Sequence, residues 1–173
     1  GEEGGELQSL DVIAAGPVRT VVRTVKKLAG EQVVTRTYAF HARHLTVEAS
    51  ATQHQTGLLS RVWYAAPGTY EDDAGHVRDV DGKGKDEGVT GDYPDPKWYS
   101  VRNDDWAHAC VALSPMAGQS YWDEAPSLGQ LGFSAPDAGG ATYAHIVTGP
   151  DVPAGFARQW HAALTTPIVV TLQ

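Results

Sequence analysis

Basic residues are scarce in this sequence, and their scarcity narrows the classes of partner. The chain has 13 lysines and arginines against 21 aspartates and glutamates, which gives a net charge of −8 at pH 7. Binding to nucleic acid depends on clustered lysine and arginine side chains that neutralise phosphates. The charge balance therefore argues against nucleic acid as the main partner.

Cysteine and long hydrophobic runs are lacking as well. Cys110 is the single cysteine, so no disulfide can form within the chain, and we interpret its thiol as a small buried hydrophobe. No run approaches the roughly 20 apolar residues of a membrane helix. Residues 1–10 have neither the basic start nor the apolar core of an export signal. We expect a soluble protein without a membrane partner, secreted or periplasmic, with any export signal absent or already removed.

Alternation of apolar and polar residues with a period of two is the pattern that this sequence has in quantity. In residues 44–51, Leu45, Val47 and Ala49 fall on one side and polar residues on the other, which is typical of a strand with one face on a core. We predict that 33–40, 44–51 and 58–65 are consecutive strands joined by short turns. Further strands are predicted at 8–15, 18–25, 106–113, 130–134, 142–148 and 168–172.

One helical pattern follows the strands. Phe156, Trp160 and Leu164 recur at every fourth position and predict a short amphipathic helix that ends before Pro167. A length of 173 residues with 42% hydrophobic residues suits one domain, 1–173, in which 1–6 are flexible. Many strands with one helix predict an all-β fold, an antiparallel β-sandwich.

The alternation stops between residues 67 and 105. Eleven of the 21 acidic residues fall between Glu71 and Asp105, together with several aromatic residues. We interpret 67–105 as one long acidic and aromatic loop, and 114–140 as a second loop region. Long loops in compact domains are usually functional or disordered, and the aromatic residues favour function.

The run Gly-Pro-Val-Arg-Thr-Val-Val at 16–22 resembles strands in the galactose-mutarotase-like β-supersandwich domains of glycoside hydrolases and polysaccharide lyases. The predicted helix before a final strand at 167–172 is similar to the end of such a domain. The resemblance covers the first third of the chain and its last part. It implies the C-terminal portion, or a trimmed version, of a carbohydrate-active domain. No catalytic motif of those families can be matched here.

Sugar binding is also indicated by residue types in the loops. Sugars lie against aromatic rings, and planar carboxylate, amide and guanidinium groups bind their hydroxyls. The candidate substrate-binding residues are Trp98, Tyr99, Arg102, Trp106 and Trp122. The competing interpretation is that the tryptophans anchor the loops to the sandwich while the acids stay in water.

Three residues are candidates for catalysis. Asp105, or its neighbour Asp104, could form with Glu124 the carboxylate pair of a glycoside hydrolase, whose members lie roughly 5 to 10 Å apart. A lyase acting on a uronic acid would need an imidazole or phenol as base, for which His108 is a candidate, and an Arg or cation to neutralise the carboxylate. Turn-forming acids and an ordinary surface histidine are the competing interpretations. The other candidates for the lyase site are His41, His44, His54, Arg61 and Tyr64.

The segment 79–87 resembles the start of a calcium loop. Lys83 stands where such a loop needs an oxygen ligand, so the segment is not an EF-hand. An irregular Ca2+ site on Asp79, Asp81 and Asp86 is the metal hypothesis, and a solvated acidic run is the alternative.

Two functions follow from these observations. The first is a carbohydrate-active module that binds a polysaccharide or oligosaccharide, or borders the active site of a glycoside hydrolase or polysaccharide lyase, with other domains of the same enzyme as partners. The alternative is a non-catalytic structural or interaction module that docks on a partner domain. Catalysis within this chain itself is a third possibility. The orientation of Trp98, Trp106 and Trp122 would separate a glycan surface from simple packing.

Overall fold

The computed structural model describes residues 5–28, 32–51, 58–65, 67–80, 89–90, 95–124, 128–134 and 140–167, with the backbone alone for β5, β8, β11 and β12. The strands are β1 (Glu6–Ala15), β2 (Arg19–Lys27), β3 (Val33–His41), β4 (Leu45–Ala51), β5 (Leu58–Ala65), β6 (Gly68–Asp72), β7 (Val77–Val80), β8 (Val89–Thr90), β9 (Trp98–Arg102), β10 (Ala107–Ala112), β11 (Gly118–Glu124), β12 (Leu128–Ser134) and β13 (Gly140–Thr148), and the helix is α1 (Phe156–Thr165). The predicted all-β class with one short helix is confirmed. The predicted strand 168–172 and residues 1–4 lie outside these ranges.

The strands form two sheets, and neighbouring strands run antiparallel in every described pair. The first sheet has nine strands in the order β1-β2-β3-β4-β13-β10-β9-β6-β7, and the second has four in the order β5-β12-β11-β8. The first four strands therefore pair in chain order, and the predicted neighbours 33–40 and 44–51 are adjacent as β3 and β4, but β5 does not continue this series. The period of two in β5 identifies it as a strand but does not identify the strand with which it pairs. That partner is β12, about 70 residues further along the chain.

All six residues of β10, which lies between β13 and β9 in the nine-stranded sheet, are buried. Cys110 pairs with His145 on β13 and with Tyr99 on β9. Side chains alternate between two buried faces, as the pleat of a strand requires. We call one the helix face, because α1 covers it. We call the opposite one the tyrosine face, after its buried Tyr70, Tyr99 and Tyr143.

Small side chains on β10 let α1 approach the sheet closely. Ala107, Ala109 and Val111 are fully buried on the helix face and belong to one core cluster with Phe156 and Ala157 of α1.

None of the helical structure in the described ranges has the length and apolar character needed to cross a bilayer.

A buried carboxylate fixes the start of α1. The N-cap residue Gly155 has φ 70, in the left-handed region that favours glycine, and donates its backbone N–H to Glu71 Oε2 at 2.9 Å. Arg102 Nη2 donates to the other oxygen of Glu71 at 3.0 Å. Glu71 therefore connects β6, β9 and the positive end of the helix dipole.

The predicted loop 67–105 contains four short strands, β6 to β9, and the second loop region contains β11. Turn chemistry conceals them in the sequence. Asp72 ends β6, and its carboxylate accepts the backbone N–H groups of Ala74 and His76 at 3.0 Å. Such Asx-type bonds are typical of loops. Strands of five residues or fewer between them leave too little alternation to be recognised.

A glycine begins β13 where it joins β4. Gly140 pairs with Ser50, and a Cβ atom on Gly140 would lie 2.4 Å from the carbonyl oxygen of Ala49. No real Cβ contact is that short, so the close approach of the two backbones requires glycine.

Candidate functional site

Two histidines on neighbouring strands of the tyrosine face contact each other. His108 lies on β10 and His145 on β13, and the register pairs His145 with Cys110, so the two imidazoles are diagonal neighbours. His108 Nε2 and His145 Nδ1 are 3.0 Å apart, and the rings stack with 5.3 Å between centroids. We call these two residues the imidazole pair. The sequence identifies His108 as a candidate but gives no sign that His145, 37 residues away, is its partner.

The imidazole pair is neutral at pH 7. Burial, with His145 as a smaller cause, lowers the pKa of His108 to about 3, and burial lowers the pKa of His145 to about 4. A neutral imidazole carries one N–H donor and one acceptor nitrogen, so the bond between the rings joins a donor to an acceptor. The pair can therefore hand a proton along without forming a stable charge.

One nitrogen of the pair lacks a partner in the described part of the chain. His108 is 5% exposed, and its Nδ1 atom makes no hydrogen bond there. A buried polar atom left in this state costs about 1 to 3 kcal/mol. In folded proteins such an atom is usually completed by an ordered water or by a bound ion or ligand.

Tyrosine rings flank the imidazole pair on both sides. The Tyr99 and His108 ring centroids lie 6.2 Å apart, and the Tyr143 and His145 centroids lie 5.4 Å apart in an edge-to-face arrangement. Cys110 is buried in the same core cluster as a small hydrophobe, as the sequence predicts. Tyr99, Tyr143 and His108 are buried, so His145, which is partly exposed, is the member of the pair that a ligand can approach.

A second concave region lies on the other side of the sheet, between α1, the end of β13 and the β3–β4 turn. We call this cavity of about 570 Å3 the helix groove. Arg43, Gln159 and Trp160 line it together with mainly apolar side chains. Sequence reasoning missed the groove, because the helical period of Phe156 and Trp160 indicates a packed face and gives no sign of the turn that lies opposite.

The structure separates the two aromatic residues that the sequence places together in one sugar-binding surface. Trp98 and Tyr99 are consecutive in β9 and point to opposite faces. Trp98 is buried on the helix face, with the Arg158 guanidinium 5.8 Å from its ring centre. Tyr99 is completely buried on the tyrosine face. The two rings therefore do not line one exposed surface.

The turn between β9 and β10 holds the other candidates from this region. Asn103 Oδ1 accepts the backbone N–H groups of Asp105 and Trp106, each at 2.9 Å. Asp105 is exposed, whereas His108 is buried. Trp106 packs partly buried against the core of the tyrosine face, and Arg102 is paired with Glu71. Asp105 and the acid next to it therefore belong to this turn.

The remaining candidates are described less fully. Trp122 and Glu124 lie on β11, which pairs with β12, and their side chains lie outside the described structure. Asp79 is exposed on β7, and Asp81 and Asp86 lie outside the described residues. Within the described residues, no group of three or more His, Cys, Asp or Glu side chains could hold a metal ion. The calcium site therefore stays a prediction.

Neither a family model nor a curated protein matches this chain. Several solved structures are similar to it, among them the following two. A candidate aldose 1-epimerase from Escherichia coli K12 has 10% sequence identity and a TM-score of 0.39, with 82% of this chain and 69% of that chain covered. The Slr1438 protein from Synechocystis sp. PCC 6803 has 10% identity and a TM-score of 0.27, with 83% and 65% covered. At these scores the likeness carries no argument about the site.

Proposed function

We propose that this chain is a carbohydrate-acting β domain in which the imidazole pair exchanges a proton with a sugar. The observation that carries the proposal is the 3.0 Å contact between His108 Nε2 and His145 Nδ1. Histidine is the commonest side chain for general acid–base catalysis, and a positioned pair can accept one proton while releasing another.

The low pKa values suit a relay through neutral tautomers. In this relay His145 Nε2 takes the proton of a sugar hydroxyl, while the Nδ1–H of His145 passes its proton to His108 Nε2. The Nδ1–H of His108 then gives its proton to a second oxygen of the same sugar. Protons balance over the step, and neither buried ring ends with a charge, which burial disfavours at both positions. The Nδ1 of His108 has no partner among the described residues, but it is buried, so the second oxygen reaches it only when the side chains around it move.

Flanking aromatic residues hold the imidazole pair in place. The buried Tyr99 and Tyr143 rings pack against His108 and His145, so the sugar approaches from the side of His145, the partly exposed member of the pair. Proton exchange at a sugar hydroxyl and ring oxygen interconverts the anomers of an aldose, so anomerisation is the reaction to test first. Lyase action on a uronic acid needs the same kind of base. Hydrolysis needs two carboxylates instead, and Asp105 lies exposed in a turn.

Polarimetry of freshly dissolved α-anomers of several aldoses, with and without the protein, tests the proposal. We expect faster mutarotation than in buffer alone for at least one aldose. A parallel assay follows the absorbance of unsaturated products from uronic-acid polysaccharides. Absence of both activities, with no sugar-induced NMR shift at His108 or His145, would contradict the proposal.

The exposed side chains of β1 favour a second candidate function, that of an interaction module. β1 is an edge strand of the nine-stranded sheet, and Leu7, Leu10, Val12 and Ile13 on it are each more than half exposed. An edge strand with apolar side chains is a template for pairing with another chain. Sedimentation velocity of the wild type and of Val12→Lys tests this function. It predicts concentration-dependent association that the lysine abolishes, and equal sedimentation of both proteins would contradict it.

A further inference from the structure

The helix groove has the composition of a small-molecule site. Its volume of about 570 Å3 falls within the roughly 300 to 1,000 Å3 typical of ligand pockets, which are mainly apolar with a few polar groups. Ile146 and Phe156 form a buried apolar floor. The polar groups are few and different in kind: the Arg43 guanidinium, the Gln159 amide and the Thr148 hydroxyl.

The Trp160 ring lines the groove, and two histidine rings lie behind it. Trp160 of α1 lies half-buried, with the His44 ring 5.7 Å away and tilted against it. The His41 ring in turn stacks on His44 at 4.3 Å. Burial, with His41 as a smaller cause, lowers the pKa of His44. Trp160 therefore offers flat aromatic surface to the groove.

The charge of the groove selects the sign of its ligand. Among the described residues that line it, Arg43 is the one charged side chain, and no lining residue is acidic. An arginine fork binds a carboxylate with two parallel hydrogen bonds. The chain as a whole has a net charge of −8, so the positive charge of the groove distinguishes it from the rest of the molecule.

We propose that the helix groove binds a small aryl carboxylate, with the flat ring between Trp160 and the apolar floor and the carboxylate on Arg43. Gln159 and Thr148 are placed to satisfy a remaining polar atom of the ligand. This site lies on the helix face, whereas the imidazole pair lies on the tyrosine face, so the two proposals stand or fall separately.

The apolar floor decides between this ligand and a sugar. A sugar ring carries hydroxyls around its edge, and hydroxyls pressed against Ile146, Val152 and Phe156 would lose their hydrogen bonds to water without replacement. Each hydroxyl that loses its hydrogen bonds to water costs about as much binding free energy as one good contact contributes. An aryl ring has no hydroxyls to satisfy and fits the same surface.

Isothermal titration calorimetry with 3-phenylpropionate as the probe tests the proposal. We expect saturable binding to the wild type at millimolar concentration. Arg43→Gln should weaken it by about tenfold or more, because it removes a charge-assisted hydrogen bond. Arg43→Lys should retain part of the affinity, since the positive charge remains. Arg78→Gln, an exposed arginine on β7, is the matched control and should leave the affinity unchanged.

Two ligand controls complete the test. 3-Phenylpropionamide has the same shape as 3-phenylpropionate but carries no charge. Its affinity for the wild type should therefore be as low as the affinity of 3-phenylpropionate for Arg43→Gln. Glucuronate has the charge on a hydroxylated ring and should bind more weakly than 3-phenylpropionate. The proposal is overturned if 3-phenylpropionate does not bind, if Arg43→Gln binds it like the wild type, or if glucuronate binds more tightly.

Discussion

His108 Nε2 on β10 lies 3.0 Å from His145 Nδ1 on β13, which places two neutral imidazoles in direct contact inside an antiparallel sheet. The contact has a thermodynamic consequence as well as the chemical one proposed above. Burial disfavours the charged form of both rings, so the folded protein resists the proton that the unfolded chain takes up readily.

Stability should therefore fall as the pH falls below about 6.5. Unfolded histidine has a pKa of about 6.5, whereas those of His108 and His145 in the folded protein are about 3 and about 4. Above pH 6.5 neither state is protonated, and the full stability is present. Between that value and about pH 4 the unfolded chain binds more protons, so each histidine costs about 1.4 kcal/mol of unfolding free energy per pH unit. Urea unfolding midpoints between pH 7 and pH 5 measure this slope.

A variant with one histidine isolates the effect from other titrating groups. His108→Gln removes one of the two contributions, so its stability should depend less steeply on pH over the same range. Parallel pH profiles for the two proteins would show that the slope comes from elsewhere.

The proposed relay predicts that both histidines are needed for proton exchange with a sugar. His145→Gln and His108→Gln should each lower the rate of anomer interconversion by about 100-fold or more, because an amide cannot take up and release a proton. His161→Gln on α1 is the matched control and should keep the wild-type rate. Saturation-transfer NMR of the sugar measures the exchange, and near-ultraviolet circular dichroism confirms that each variant is folded. A wild-type rate in either pair variant would exclude the relay.

Glu71 should contribute strongly to stability although it is charged and buried. It accepts the Gly155 N–H and pairs with Arg102. Glu71→Gln keeps the shape but removes the negative charge, which weakens two charge-assisted hydrogen bonds. We expect a loss of about 2 kcal/mol in the free energy of unfolding. Glu48→Gln, at an exposed position of β4, is the control. Equal losses of unfolding free energy in both variants would show that the contacts of Glu71 do not stabilise the fold.

The contact between α1 and β10 should tolerate no added volume. Ala109 is fully buried in the cluster that contains Phe156 and Ala157. Ala109→Leu forces the helix away from the sheet, which costs about 1 to 3 kcal/mol. Ala162→Leu, on the exposed side of the same helix, is the control and should change stability little. Thermal unfolding measures both, and an unchanged Ala109→Leu would mean that α1 packs loosely.

Local pattern was sufficient to predict the long strands and the helix. The strand at 58–65 has the predicted bounds, and α1 extends the predicted period from Phe156 to Thr165. Period two and period 3.6 are set by the chain's own geometry, so they can be recognised without knowledge of the rest of the fold.

Pairing could not be predicted in the same way. The separation of Trp98 from Tyr99 by the sheet follows from alternation, but their proximity in sequence suggested one surface. His145 contacts His108 because β13 pairs with β10 in one register, and register depends on the whole sheet. Arg43 and Trp160 line one groove although more than a hundred residues separate them in the sequence. Sequence proximity carries none of this information.

The position of β13 between β4 and β10 has a consequence for biosynthesis. β4 and β10 are synthesised before β13, and until β13 pairs with them each has one unpaired backbone edge. Such an edge can pair with another nascent chain, so aggregation competes with maturation until β13 is in place. β13, whose first residue Gly140 allows the close approach to β4, joins the two halves of the sheet.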